Sequence, residues 1–519
     1  MKFIESNVSN NVVHALCTLR YLSECHDKAQ VIIKGNGLAV LEAHLEQGND
    51  EIEREVTAIL CHLSSFKDIQ STVSQATLLS KLRKLCEKKD CEISRFALGT
   101  LANCMETYDN QELLLASSPD MISILIKLVK SKFLSTKRDA SRAISNLLSS
   151  DEFAILFLNN GGLDAISSAH RIIDYELQYS LSLSLRKLSS RRLSHEEIIS
   201  SKGLSSLLYF CQLSHNRDAV RHSALGLQNL SSNTEFRIVL ANEGALNVVS
   251  KLLSSNDLIT SIASAQTLEY LSIPRKLKFI IFENGIGDTI CEQIHRTKDR
   301  EFLLHAAGIL ANLSTQKDIR KQMWKQQIVG ALVILRKEQD DNIDYQVSKC
   351  ICFMSTSLEP DCEDKSILAR TIMSVAIQMV SSRNTHVADN AVTSIGNFAK
   401  ERKHQLHLAQ INGFDPIVDL VKEIKEDPSS SLNSCWALGR LLLSKENRYL
   451  SQKGKCMFAY LNDICLSRSQ DDDCSHVSAM ICNAATSKSC HDLIQKSGIV
   501  SNLVETLQST SIKTVLSGL

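Results

Sequence analysis

The stretch SALGLQNLSSNTEFRIVLANEGALNVVSKLLSS, Ser223–Ser255, decides the reading of this chain because its parts return along the whole length. QNLSS at 228–232 comes back as ANLST at 311–315, SNLLSS at 145–150 and RKLSS at 186–190. With Asn229 as a marker, the equivalent positions are Tyr21, His62, Asn103, Asn146, Lys187, Tyr270, Asn312, Phe353, Asn397, Arg440 and Asn483. Successive marks lie 41 to 44 residues apart, a regularity that identifies an internal repeat. Apolar residues at i, i+3, i+4 and i+7 run through TEFRIVLAN, through ALNVVSKLL and through the ITSIASAQTLEYLS that follows, so one unit reads as three helices. A glycine separates the first two. Gly162, Gly203, Gly244 and Gly285 are spaced by 41, and Gly37, Gly413, Gly454 and Gly498 are expected in the same place, at a corner that a residue without Cβ relieves. No unit covers its own apolar face, so neighbours must stack around one continuous core.

The composition agrees with an all-helical chain. Only 5 Pro and 19 Gly interrupt 519 residues, and 44% of them are hydrophobic, enough for a core far larger than one compact domain needs. Lys+Arg and Asp+Glu both number 58, so no global excess of charge points to nucleic acid, and basic and aromatic residues are not interleaved. The 17 cysteines sit mostly inside apolar helical phrases such as ALCTL and AILCHL, as reduced core thiols do. No apolar run has the length of a membrane span, so membrane insertion is not expected, and Met1-Lys2 is neither a signal peptide nor an N-myristoylation start. These features together predict a cytoplasmic protein. Both ends fall inside a unit: the array is expected to run through 1–519 as one domain, with the units at about 1–24 and 490–519 incomplete.

The 41–44-residue period, the xxNLSS ending of the long helix and the xxGALxxLVxLL phrase resemble armadillo repeats, over essentially the whole chain. HEAT repeats are the alternative architecture, but they are two-helix units without this corner and ending. The resemblance implies a right-handed α-solenoid superhelix of about twelve three-helix units, whose third helices line a concave groove. It further implies that the Asn near each helix end clamps the backbone of an extended peptide, since a carboxamide offers a donor and an acceptor together. Asn103, Asn146, Asn229, Asn312, Asn397 and Asn483 keep that residue. Capping of local backbone is the competing role for such an Asn. Nuclear-import adaptors place a Trp one turn before each Asn; here only Trp436 has that offset, and it precedes Arg440. An import adaptor is therefore the less favoured type. The short uninterrupted units are more similar to vacuolar-type or ciliary armadillo scaffolds.

Steps of four and eight keep one face of a helix, and they set Arg138, Arg142, Lys187 and Arg221 along one stretch of the groove. An acidic partner segment suits it. EQDDNIDY at 338–345 and DDDC at 471–474 leave the later half more acidic along one edge. RRLS at 191–194 has the form of a basophilic kinase site with Ser194 as acceptor. Neither the Cys474, His476, Cys482, Cys490, His491 group nor His404 with His407 matches a metal template, so no metal and no cofactor is expected. Nucleotide loops and hydrolase elbows are missing too. The expected function is a non-enzymatic scaffold or adaptor that binds extended, partly acidic segments of partner proteins. The alternative is a structural subunit of a larger assembly such as a ciliary axoneme or cytoskeletal complex, with contacts through the incomplete ends.

Overall fold

The computed structural model describes residues 9–45, 48–117, 120–357, 363–423, 428–443, 481–482, 484–486 and 488–506. These are helices and turns, with no strand among the described residues, and none of the helices is long and apolar enough to cross a membrane. The chain divides into two compact units, Met1–Thr267 and Leu268–Leu519. Each is an α-solenoid of the expected three-helix repeat.

The long third helices, numbered by repeat, are α1 Ser9–Ser23, α2 Asp50–Ser64, α3 Cys91–Cys104, α4 Leu134–Leu147, α5 Tyr175–Ser189, α6 Arg217–Ser232, α7 Leu258–Leu271, α8 Arg300–Ser314, α9 Asp341–Ser355, α10 Thr385–Phe398 and α11 Pro428–Leu441. In the first unit α1 to α6 pack in chain order, each on the next, and in the second unit α8 to α11 do the same. Their inward faces are closed by small and aliphatic side chains such as Ala58, Ile59, Leu60, Leu98 and Leu227, all fully buried. Cysteines contribute to that core: burial pushes the Cys350 thiol up to about 12 and the Cys61 thiol to about 11, so both behave as apolar groups.

The glycine corner is two positions rather than one. Gly161, Gly244 and Gly285 take the left-handed conformation, and Asn36 and Asn412 hold the same place in their repeats. Gly162, one residue later, is already helical; a Cβ there would run into the ring of Phe157, and Gly37 stands in the same relation to Ile32. One site needs backbone freedom, the other close packing of two helices.

A capping ladder starts the third helices. Thirteen residues before the marker stands Asn49, Asp90, Asp174, Asn216, Asp257, Asp299, Asp340 or Asn384, and each accepts a backbone N–H from the first turn of its helix. Phe133, at the head of α4, is the exception and caps nothing. Three of these carboxylates also tie repeats together, taking an Arg that sits eight residues before the preceding marker. Arg54 reaches Asp90 at 2.6 Å, Arg138 grips Asp174 with two nitrogens, and Arg221 grips Asp257 at 3.0 and 2.6 Å. Arg95 has the same place before Phe133, finds no carboxylate there, and lies over the Phe96 ring at 4.4 Å.

The guanidiniums and helix-end N–H groups hold the Asp174 and Asp257 carboxyls below the usual carboxylate range, Arg138 and Arg221 respectively being the larger influence. A lowered folded pKa stabilises the fold above the unfolded value of about 4, and that contribution is lost as pH falls through the folded value. Asp257→Asn should therefore unfold at lower urea than wild type at pH 7, and the difference should shrink progressively below about pH 4, as followed by circular dichroism.

Candidate protein-binding groove

Each third helix ends with carbonyls that have no partner inside the helix. The repeated NLSS phrase meets this need. The Ser two residues after the marker donates its hydroxyl to the carbonyl one residue before it: Ser23 to Arg20, Ser64 to Cys61, Ser189 to Arg186, Ser272 to Glu269 and Ser355 to Cys352. The marker side chain of the following repeat then donates to that hydroxyl oxygen. Asn103 Nδ2 reaches Ser64 at 3.0 Å, Asn229 reaches Ser189 at 3.2 Å, Asn312 reaches Ser272 at 2.9 Å and Asn397 reaches Ser355 at 3.1 Å. His62 Nδ1 meets Ser23 in the same way at 3.0 Å.

Where Met105 and Leu148 stand in place of this Ser, the next marker goes directly to the carbonyl. Asn146 Nδ2 donates to Ala102 O at 2.9 Å. Lys187 Nζ donates to Ser145 O at 2.6 Å and to Ser149 Oγ at 2.8 Å. Burial, with Arg191 and Arg186 nearby, pushes the Lys187 ammonium below its ordinary range. The donor half of the marker thus faces the preceding repeat. Its carbonyl half is used at Asn103, where Oδ1 accepts from Arg142 at 2.6 Å. Asn483 lies outside the described residues.

The cations read along the groove are similarly engaged. Arg138 and Arg221 hold the capping carboxylates, with Asp218 a further partner of Arg221 at 3.1 Å. Arg142 adds a 3.5 Å approach to Asp139, whose carboxyl is raised by burial against the opposing pull of Arg142. Of the four, Arg138 and Arg142 line a cavity of about 590 Å³ in the first unit, together with Asn146. It is also lined by Tyr175, Tyr179 and Leu183 of α5 and by the acids Glu106, Asp139, Glu176 and Asp218. Tyr175, Tyr179 and Leu183 stand twelve, eight and four residues before Lys187. The same stepping that marks the arginines finds this stripe when it is applied to apolar residues. Tyr175 donates its hydroxyl to Asp218 at 2.6 Å, and the Tyr179 ring stands edge-on to His222 at 5.2 Å. Burial, reinforced by Arg186, pushes the His222 imidazole down to about 4, so it is neutral at physiological pH. The groove here is mixed in charge with an aromatic floor.

In the second unit Trp436 lies against α10 where Gly396 leaves room; a Cβ at 396 would overlap the indole. Arg440 stacks over that ring at 4.6 Å, and burial lowers the guanidinium below its ordinary range. Of the acids of 338–345, Asp340 caps α9 and pairs with Arg300, and Asp344 takes Arg336 at 3.0 Å while burial pushes its carboxyl up to about 6; Glu338 and Asp341 are exposed. DDDC at 471–474 lies outside the described residues. Ser194 is 3% exposed in a short turn, so a kinase reaches it only if that turn opens. Cys474 and His476 are also outside the described residues, and no group of three metal-ligating side chains occurs among those described. His404 is buried beside Glu401 and Phe398.

No protein-family model matches the chain. Vacuolar protein 8 of Schizosaccharomyces pombe is 24% identical over 179 residues, covering 34% of this chain and 32% of that protein. Vacuolar protein 8 of Saccharomyces cerevisiae is 22% identical over 226 residues, covering 41% and 38%. The chain thus spans about a third of the length of these curated relatives. Among solved structures, one concerned with a phosphorylation switch that controls the interaction between cadherin and beta-catenin superposes with a TM-score of 0.72, at 15% identity, covering 92% of this chain and 97% of the other. An engineered protein superposes at 0.64 with 20% identity, covering 76% and 97%. The fold is the armadillo-repeat solenoid.

The Asn–Ser contact gives a direct test of the marker's structural share. Asn229→Ala should cost about 1 kcal/mol of stability without any ligand, and Ser189→Ala a similar amount. In a double-mutant cycle followed by chemical unfolding, the pair should lose clearly less than the sum of the two.

Proposed function

We propose that the chain is a non-enzymatic scaffold that holds an extended segment of a partner protein across α4, α5 and α6. The observation that carries this reading is the cavity of about 590 Å³ that joins Arg142 and Asn146 to the Tyr175–Tyr179–Leu183 stripe. Rigid aromatic side chains half-open to solvent, flanked by Arg, are the groups that dominate binding energy at protein interfaces. Tyr175 is 60% and Tyr179 38% exposed, so each has surface left to bury.

The clamp works with half a carboxamide. With Nδ2 of Asn146 given to Ala102, its carbonyl oxygen is the part that accepts a peptide N–H. Specificity follows from the charges lining the cavity. A partner carboxylate joins Asp139 as a companion of Arg142, whose side chain is 40% exposed. Glu106, Glu176 and Asp218 favour basic residues farther along. The ligand that fits is an extended segment with an apolar residue between charges of both signs, an acidic one among them. The armadillo fold shared with the cadherin-related beta-catenin structure supports a protein-binding role.

Peptides selected from a displayed library on the purified chain, then measured by fluorescence anisotropy, test this reading. Tyr179→Ala, Leu183→Ala and Arg142→Glu should each weaken binding about tenfold or more, which is about 1.4 kcal/mol. Asn312→Ala, in the second unit, should leave it unchanged. Selected peptides that bind all of these variants as they bind wild type would sink the groove assignment.

A further inference from the structure

The edge of the first unit where the second helices turn into the third changes character at the fourth repeat. In the loops leading into α2 and α3 Lys88 pairs with Asp50 and Glu53 and Arg54 with Asp90, leaving Lys89 as an exposed cation. No large apolar side chain is exposed between Val31 and Phe133 among the described residues. The next four loops each expose one or more. Phe133 is 56% exposed, Ile173 85%, Leu213 61% and Leu258 49%, with Leu134 and Ile259 beside the first and last.

Cations alternate with them. Lys130, Lys132, Arg171 and Arg217 are exposed, and none has an ion-pair partner among the described residues. The carboxylates of the same loops are largely taken, Asp174 by Arg138, and Asp257 and Asp218 by Arg221. The loops also form one edge, since Asn216 of the loop into α6 donates to Tyr175 O at 2.8 Å, and Arg138 and Arg221 tie α4 to α5 and α6 to α7.

Phe133 is the informative residue. Every other third helix from α2 to α10 carries Asn or Asp there, which caps the helix and, in four cases, receives an Arg from the preceding repeat. Phe133 gives up both contacts and turns a ring to water. A position that breaks the local rule at a cost in stability, with no packing gained, is a candidate for function.

We propose that this edge, from Lys130 to Ile259, docks the protein on an anionic lipid surface. Apolar side chains enter the headgroup layer while Lys and Arg, whose stems can lie along it, meet the lipid phosphates. Between the loops into α6 and α7 lies a cavity of about 390 Å³ lined by Ser214, His215, Arg217, Ser255 and Asn256, in which Asp257 is already neutralised by Arg221. It offers a phosphate-bearing headgroup a cation and several hydrogen-bonding groups. The cavity is polar and the apolar side chains stand singly on separate loops, so the edge has no socket for the large anchor a protein partner would bring. A lipid surface needs none.

Flotation of the purified full chain with phosphatidylcholine vesicles, with and without phosphatidylserine, tests the proposal. Wild type should float only with the anionic vesicles. Lys132→Glu/Arg171→Glu should reduce partitioning about tenfold or more, and Phe133→Ser/Ile173→Ser should reduce it comparably, with unchanged circular dichroism. Lys67→Glu, an exposed cation outside these loops, should float like wild type. The proposal is overturned if wild type does not float, or if either edge variant floats like wild type. Capture of polyglutamate without any vesicle binding would assign the edge to an acidic protein instead.

Discussion

The solenoid depends on what happens to one carbonyl at the end of each third helix. It lies in the last turn, where backbone partners run out; at Arg186 and Glu269 it takes a backbone N–H from Ser190 and Ser272, and its second lone pair is left to side chains. In these repeats it receives a hydroxyl from its own helix, and the same hydroxyl receives the next repeat's Asn or His. The chain Asn229–Ser189–Arg186 O is therefore both a helix cap and a contact between repeats. It fixes how far one third helix can slide along its neighbour, and the spacing of every groove-facing position follows. Where Ser becomes Met105 or Leu148, the next marker takes the carbonyl directly and the spacing is kept. The conserved quantity is the satisfied acceptor, and the residue that satisfies it is free to change.

That freedom explains why the repeat was legible from the sequence while the role of its most visible residue was not. The period, the three helices and the markers follow from spacing alone, because every repeat must turn at the same places. Whether Asn229 faces a ligand or a neighbour depends on a residue forty positions away, and a single phrase carries no sign of it. The paired Ser was in the quoted phrase from the start; its partner lay in the next copy. The capping ladder was likewise present as Asn or Asp thirteen residues before the marker, yet its letters are common in any polar break. Lys187 was readable as a change of groove chemistry, but its ammonium is largely spent on Ser145 O and Ser149. Reading single positions for charge misses the contacts that cancel the charge.

The arginines show the same limit. Arg138 and Arg221 do lie on the expected helix face, and by that placement they come within reach of the next repeat's capping Asp. A regular array brings its own complementary groups together as reliably as it presents them to a ligand. What remains for a partner is whatever the internal pairing leaves over: Arg142 with its raised companion Asp139, and the aromatic stripe of α5. Residual valence, rather than residue type, marks the candidate site.

The same criterion applied to the edge of the first unit gives the opposite sign. There the pairing that silences Arg54, Arg138 and Arg221 fails at Phe133, and the cations around it keep their charge. In a repeat protein an irregular position cannot be compensated far away, because each unit contacts only its neighbours. A lost cap at α4 is borne locally, by α4 and the α3 that packs on it. Selection for stability alone would restore Asp or Asn at 133, completing the cap and giving Arg95 its partner. Phe133 instead leaves an exposed ring at that helix head.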